Sequence, residues 1–146
     1  MMAGMSDRMN EDEWRAFLSE GTRTGKLATV GADGAPHVAP IWFLVDGDDL
    51  VFNTGKETVK GRNLLREGRA ALCVDDERPP FAFVLVRGPV TVSEDPDELL
   101  SVATGVAGRY MGAEQARAFG ERNAVPGELV VRLRLDKVTA YAAVAD

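Results

Sequence analysis

The stretch Asn53–Asn63, NTGKETVKGRN, concentrates groups that can bind an anion within an otherwise acidic chain. Lys56 and Lys60 supply ammonium groups, Thr54 and Thr58 supply hydroxyls, and two glycines allow the backbone to approach a ligand. The stretch leads into a predicted helix, whose N-terminus favours negative charge. The combination predicts a phosphate site. The alternative is a solvated strand-to-helix turn whose lysines face only water.

A second stretch, PHVAPIWF at Pro36–Phe43, can provide a flat apolar surface. Pro40 lies in its middle, and a proline cannot donate a ladder hydrogen bond, so the segment is predicted to be an edge strand. Ala39, Pro40 and Trp42 are then suited to lining a planar ring. The alternative is an ordinary edge strand with a tryptophan in the core.

Several familiar chemistries are excluded by spacing or composition. Gly55 and Gly61 do not make a P-loop, because no Lys-Ser/Thr pair follows the second glycine, and no Gly-x-Gly-x-x-Gly follows a strand. His37 is the only histidine and no Gly-x-Ser-x-Gly occurs, so a serine hydrolase triad cannot be assembled. With Cys73 as the single cysteine, we expect no metal site.

Composition indicates one acidic globular domain. The chain has 146 residues, 45% of them hydrophobic, and a formal net charge of −6, which disfavours nucleic-acid binding. One cysteine agrees with a reducing compartment, and neither a signal peptide nor a membrane span is indicated. We expect a cytoplasmic protein with an N-terminal helical segment at 1–22 and a single domain at 23–146.

Hydrophobic periodicity and turn chemistry place these stretches on an antiparallel framework. Helices are predicted at about 10–18, 58–67, 95–110 and 113–121, with capping signals at Asn10, Gly68 and Asp95. Six strands are predicted at 26–30, 36–45, 50–54, 69–74, 81–92 and 128–144, the last with a possible break at 136–137, and the first three are expected to form a meander.

The absence of an alternating βαβ pattern predicts a small antiparallel barrel of the α+β type. A barrel of about six strands is filled by its own side chains. A flat ring would therefore bind in a groove and need a second chain to bury it. The helical region 101–122 is expected to close one barrel end rather than cover the groove.

Several short motifs, in this order and spacing, resemble one family. They are Leu27–Val30 (LATV), Asp33–Pro36 (DGAP), Phe52–Asn53–Thr54 followed by Thr58–Leu64 (TVKGRNL), and Val86–Gly88 (VRG). The chain resembles the split β-barrel flavin and deazaflavin oxidoreductases, of which pyridoxamine 5'-phosphate oxidase is the best-known relative. The resemblance implies an FMN-binding split barrel of six strands with peripheral helices. It also implies a homodimer with the coenzyme at the subunit interface and a small-molecule substrate.

The stretch Asn53–Asn63, here called the phosphate loop, differs in sequence from the matching loop of the oxidases. They carry Ser-Arg-Lys-Gly where this chain has Thr58–Gly61, so the arginine has become Val59, and Ala39–Leu44 lacks both cations of the oxidase strand motif. This departure is similar to the branch that binds the 8-hydroxy-5-deazaflavin coenzyme F-420, with Lys60 and Asn63 in its Lys-x-x-Asn element. The resemblance therefore implies a coenzyme F-420-dependent oxidoreductase that transfers a hydride to a small conjugated organic molecule.

The residues that the resemblance assigns to coenzyme binding come from the second strand, the phosphate loop and the fifth strand. Those of the fifth strand are expected to reach the ring bound by a partner subunit. No side chain is identified as a proton donor. An FMN-dependent oxidase-like enzyme and a non-catalytic coenzyme or haem-binding protein remain alternatives. The set is Val38, Ala39, Pro40, Ile41, Trp42, Asn53, Thr54, Thr58, Val59, Lys60, Asn63, Phe81 and Phe83.

Overall fold

The computed structural model describes residues 7–144, which contain four helices and eight strands. The helices are α1 (Glu11–Ser19), α2 (Val59–Glu67), α3 (Pro96–Met111) and α4 (Ala113–Asn123). The strands are β1 (Gly25–Val30), β2 (Pro36–Ile41), β3 (Leu44–Asp46), β4 (Asp49–Gly55), β5 (Arg69–Asp75), β6 (Phe83–Ser93), β7 (Glu128–Arg134) and β8 (Lys137–Tyr141).

The helix starts follow the predicted capping signals. Asn10 Oδ1 accepts from the Glu13 N–H at 2.9 Å while Glu13 Oε1 accepts from the Asn10 N–H at 2.9 Å, a capping box that opens α1. Asp95 caps α3, and Gly68 ends α2 in the left-handed region at φ 65°. Within the helical segment predicted at 1–22, residues 1–6 lie outside the described residues.

All strand pairs are antiparallel, in the order β2-β1-β5-β6-β7-β4-β3, with β8 pairing with β6. The curled half-barrel with peripheral helices confirms the predicted α+β fold class. The predicted edge position of β2 is also confirmed, since β2 pairs with β1 alone.

The predicted count of six strands and the predicted meander are wrong, because the segment 36–45 is split in two. At the split, the Phe43 N–H donates to the Tyr110 hydroxyl at 3.4 Å and the Phe43 carbonyl accepts from Arg109 at 2.8 Å. The backbone groups of Phe43 thus bond side chains of α3 instead of the backbone of a neighbouring strand. As a result β1–β2 and β3–β4 are separate hairpins at opposite ends of the strand order.

The last predicted strand is also divided, as the sequence indicated, at Leu135–Asp136. Its two halves bind one long strand: β8 pairs with Phe83–Arg87 and β7 pairs with Val90–Ser93. Gly88 stands at the changeover, where a Cβ atom would collide with the Arg134 carbonyl oxygen. The chain therefore requires glycine at this position for the sheet to curl.

Side chains fill the half-barrel, with Phe43, Phe52, Leu72, Val86 and Leu133 fully buried. A second, smaller cluster joins α3 to β4 and β7. This packing leaves no space for a ring inside the barrel, as expected, and directs attention to the surface grooves. Among residues 7–144, no helix combines the length and the apolar character that crossing a bilayer requires.

Candidate functional site

A cavity of about 460 Å³ lies between the end of β2, the strand β4, the first turn of α2 and the α3–α4 hairpin. Its volume is in the range of small-molecule sites. Five predicted site residues meet there: Pro40, Ile41, Trp42, Asn53 and Lys60. The remaining lining residues are Thr24, Ala103, Val106, Ala107, Met111, Phe119 and Asn123.

Lys60 supplies the positive charge of the cavity. It lies in the first turn of α2 and is half-buried, and within the described part of the chain its ammonium group has no hydrogen bond or ion pair. Lys56 differs, because its Nζ bonds Glu94 Oε1 at 3.2 Å and it does not line the cavity. Lys60 is therefore the lysine of the loop that is available to an anion.

The hydroxyls of the two threonines make hydrogen bonds within the turn between β4 and α2. Thr58 caps α2: its hydroxyl donates to the Gly55 carbonyl at 2.7 Å and accepts from the Gly61 N–H at 3.0 Å. Thr54 is buried, with its hydroxyl 3.4 Å from that of Thr58, and neither threonine lines the cavity. Gly61 is needed because a Cβ atom there would collide with the Gly55 carbonyl oxygen. Its role is thus to let α2 pack closely against β4, and not to open the backbone to a ligand.

Asn63 is directed toward β1 rather than the cavity. It is buried, its Nδ2 donates to Thr29 Oγ1 at 3.1 Å, and its Oδ1 accepts from Arg66 at 2.9 Å. Arg66 also donates to the Val30 carbonyl at 2.8 Å. The side chain therefore holds α2 onto the sheet, which fixes Lys60 indirectly.

Trp42 forms one wall of the cavity and is held from behind. Its ring stacks on Tyr110 with centroids 5.0 Å apart and planes 2° from parallel. The Tyr110 hydroxyl donates to the Arg23 carbonyl at 2.8 Å, and burial raises the pKa of Tyr110, which keeps this donor protonated. Trp42 remains 44% exposed, so it offers a fixed aromatic surface to a ligand.

Arg109 fixes the backbone around this wall. It donates to the carbonyls of Leu18, Gly21 and Phe43 at 2.8–3.0 Å and lies over the Phe43 ring. Burial lowers the pKa of Arg109, although the guanidinium stays charged at neutral pH. Neither Arg109 nor Tyr110 was among the predicted site residues. Their role was missed because it depends on contacts with distant backbone.

The α3–α4 hairpin forms the apolar wall, through Val106, Met111 and Phe119 among others. Our expectation that region 101–122 only closes a barrel end is therefore corrected. α3 does pack on β4 and β7, through residues such as Val102, but its neighbouring positions face the cavity. Adjacent faces of α3 thus contact the core and the cavity, and Val106 belongs to both.

The remaining predicted residues do not line the Lys60 cavity. Val38 and Val59 are largely exposed and, like Ala39, do not line the cavity. Phe81 and Phe83 line a separate depression, near Cys73 and Lys26 on the outer face of the sheet. A single chain therefore does not bring these two phenylalanines to the cavity.

Asn53 bonds a residue outside the predicted set, Glu128. Its Nδ2 donates to Glu128 Oε1 at 3.1 Å, across the β4–β7 pair. The described residues that line the cavity include no carboxylate, histidine or cysteine. The cavity can therefore bind an anion, stack a ring and exclude water, but its lining holds no evident general acid or base.

Comparison with known proteins agrees with the fold described above. Residues 11–142 match the family model described as pyridoxamine 5'-phosphate oxidase. A pyridoxine/pyridoxamine 5'-phosphate oxidase of Rhizobium etli (strain CIAT 652) is 34% identical over 103 residues, which cover 68% of this chain and 50% of that protein. The chain thus spans about half the length of the curated relatives it matches.

Two solved structures extend the comparison. The conserved hypothetical protein Rv2991 from Mycobacterium tuberculosis superposes with a TM-score of 0.81 at 26% identity, over 96% of this chain and 89% of that one. A structure named F420 reductase superposes with a TM-score of 0.65 at 27% identity, over 84% of this chain and 94% of that one. With a family match across residues 11–142, the chain belongs to the pyridoxamine 5'-phosphate oxidase family.

Proposed function

We propose that this protein is an oxidoreductase that uses coenzyme F-420 to transfer a hydride to a small conjugated organic molecule. The observation that carries the proposal is the presence of an unpaired Lys60 and a fixed Trp42 surface in one cavity with apolar walls. A molecule that joins an anionic group to a flat ring is complementary to that combination. Similarity to the structure named F420 reductase supports the choice of coenzyme.

The residues present fit such a group. When bound, the coenzyme supplies the hydride chemistry, and the protein supplies binding, orientation and electrostatics. Lys60 would hold the phosphate, Pro40 and Trp42 would provide the surface for the ring, and the α3–α4 wall would exclude water. Thr54, Thr58 and Asn63 support the site by holding the loop and α2 in place, through the hydrogen bonds described above.

We also propose that the working form is a homodimer. The outer face of β1, β2 and β5 carries small and apolar side chains such as Ala28, Val38 and Cys73, and Val38 is 64% exposed. Pro40 belongs both to this face and to the cavity, so a second copy seated there would extend the cavity wall. Phe83 lies on the same face and would then approach the partner's ring.

Sedimentation measurements test the dimer. Val38→Lys is expected to give monomers and to weaken coenzyme binding, because it introduces a charge into the face that the second copy would bury. Val125→Lys, at another exposed valine, which lies between α4 and β7, serves as the control and should leave the dimer intact. A wild-type monomer that binds coenzyme would refute this part of the proposal.

The coenzyme assignment is tested by separate titrations with F-420 and with FMN, at low and high salt. We expect tighter binding of F-420, followed by oxidation of reduced F-420 on addition of enones or quinones. If the protein binds the coenzyme but turns over none of these compounds, it is a coenzyme carrier and not an enzyme.

An FMN-dependent oxidase is the second candidate, favoured by the name of the Rhizobium etli relative. FMN and the deazaflavin share a ribityl phosphate, so Lys60 serves both. Val59 stands where the oxidases have an arginine, which favours the deazaflavin. Purified protein that is yellow and shows an FMN spectrum would reverse this order.

A further inference from the structure

We infer that Glu128 is a positioning residue: it orients the amide of Asn53 so that the amide oxygen is the hydrogen-bond acceptor of the Lys60 cavity. The inference rests on the proposed function in one respect, namely that the ligand is a polyol phosphate of the ribityl type. The cavity then offers a hydrogen-bond acceptor, the Asn53 amide oxygen, in addition to the Lys60 ammonium group. It would therefore prefer ligands that carry a hydroxyl beside their anionic group.

The strand register brings the two side chains together. In the β4–β7 pair, Gly55 lies opposite Glu128 and Asn53 lies opposite Val130, so residues 53 and 128 are diagonal neighbours on one face. Gly55 has no side chain to separate them, and Nδ2 of Asn53 lies 3.1 Å from Oε1 of Glu128. The contact is therefore built into the pairing of the strands.

The chemistry of the contact fixes the direction of the amide. An ionised carboxylate only accepts hydrogen bonds, so the NH₂ group of Asn53 must face Glu128 and its oxygen must face elsewhere. Within residues 7–144 no group donates to this oxygen, and His37 Nδ1 is the sole side-chain nitrogen or oxygen that is both buried and unpartnered. The Asn53 oxygen is thus accessible, and Asn53 lines the cavity.

A flipped amide would change what the cavity offers. It would present NH₂, instead of the amide oxygen, to the cavity that Lys60 also lines, and a ligand hydroxyl would lose its acceptor. Glu128 prevents the flip although its own negative charge acts against binding of an anion nearby. Neutralising Glu128 should therefore weaken ligand binding if orientation of the amide dominates, and strengthen it if the charge of Glu128 dominates.

The test compares Glu128→Met with Glu94→Met in fluorescence titrations with F-420. Both variants remove one negative charge, and Glu94 bonds Lys56 outside the cavity. We expect Glu128→Met to weaken binding about fivefold, the size of one lost hydrogen bond, with Glu128→Gln between it and wild type. Glu94→Met should bind as wild type or slightly tighter. Equal or tighter binding by Glu128→Met would overturn the inference.

A measurement without coenzyme separates this inference from the proposed function. The side-chain ¹⁵N–H₂ resonances of Asn53, assigned by their loss in Asn53→Ser, should shift in Glu128→Met and stay in place in Glu94→Met. Unchanged Asn53 resonances in a folded Glu128→Met protein would refute the positioning role, whichever coenzyme binds. If wild type binds neither coenzyme, the proposed function fails, and the resonances alone decide whether Glu128 orients Asn53.

Discussion

Replacement of Lys60 by alanine is the most direct perturbation of the site, because Lys60 is the cavity's only cation among the lining residues that the structure describes. A hydrogen bond to a charged group contributes about 1.5–3 kcal/mol, and each 1.4 kcal/mol is about tenfold in affinity. Lys60 is half-buried in a chain of net charge −6, so the lower part of that range applies. We expect Lys60→Ala to raise the dissociation constant of F-420 by about tenfold or more.

Lys56→Ala is the matched control. It changes the net charge by the same amount within the same loop, but Lys56 bonds Glu94 and does not line the cavity. Its dissociation constant should stay within about twofold of wild type. Fluorescence titrations at two salt concentrations measure both variants. An unchanged dissociation constant for Lys60→Ala would show that Lys60 does not contact the coenzyme. An equal loss in both variants would show that the overall field of the protein, rather than a Lys60 contact, governs binding.

Two further predictions concern stability. Because burial raises the pKa of Tyr110 above its ordinary value near 10, the folded state holds this proton more tightly than the unfolded state. The free energy of unfolding should therefore fall as pH rises from about 10 through the folded-state pKa. Urea unfolding at pH 8 and pH 11 should show a smaller fall in Tyr110→Phe, and an equal fall would contradict this. Gly61→Ala should cost about 2 kcal/mol or more, because its Cβ meets the Gly55 carbonyl oxygen. Gly108→Ala, with its Cβ 3.6 Å from the nearest atom, should be neutral or stabilise α3 by up to about 1 kcal/mol, and thermal melts that rank the two alike would refute the packing argument.

The features that the sequence predicted correctly are those encoded within a few residues. Asn10 and Glu13 specify the start of α1 with no help from the rest of the chain, and Gly68 specifies the end of α2 because its backbone is left-handed. The edge position of β2 likewise follows from Pro40 alone. Lys60 and Trp42 were recognised by residue type and by the family resemblance, and the structure brings them together.

The features that were missed depend on contacts between distant residues. The split at Phe43 arises from Arg109 and Tyr110, more than sixty positions away. Asn63 lies in α2, which begins within the phosphate loop, yet its amide donates a hydrogen bond to Thr29 of β1. A polar residue near a site could not be assigned to the ligand or to the scaffold until its long-range partners were known.

The changeover in β6 has a consequence for how the molecule comes apart. Its first half is the partner of β5 and β8, and its second half is the partner of β7. No other strand within residues 7–144 joins the two halves of the sheet in this way. Loss of β6 would leave β2-β1-β5 and β7-β4-β3 with no strand pairing between them, and β8 without its partner strand. We therefore expect the sheet to melt as one unit, so that the cavity walls carried by its two halves are lost together.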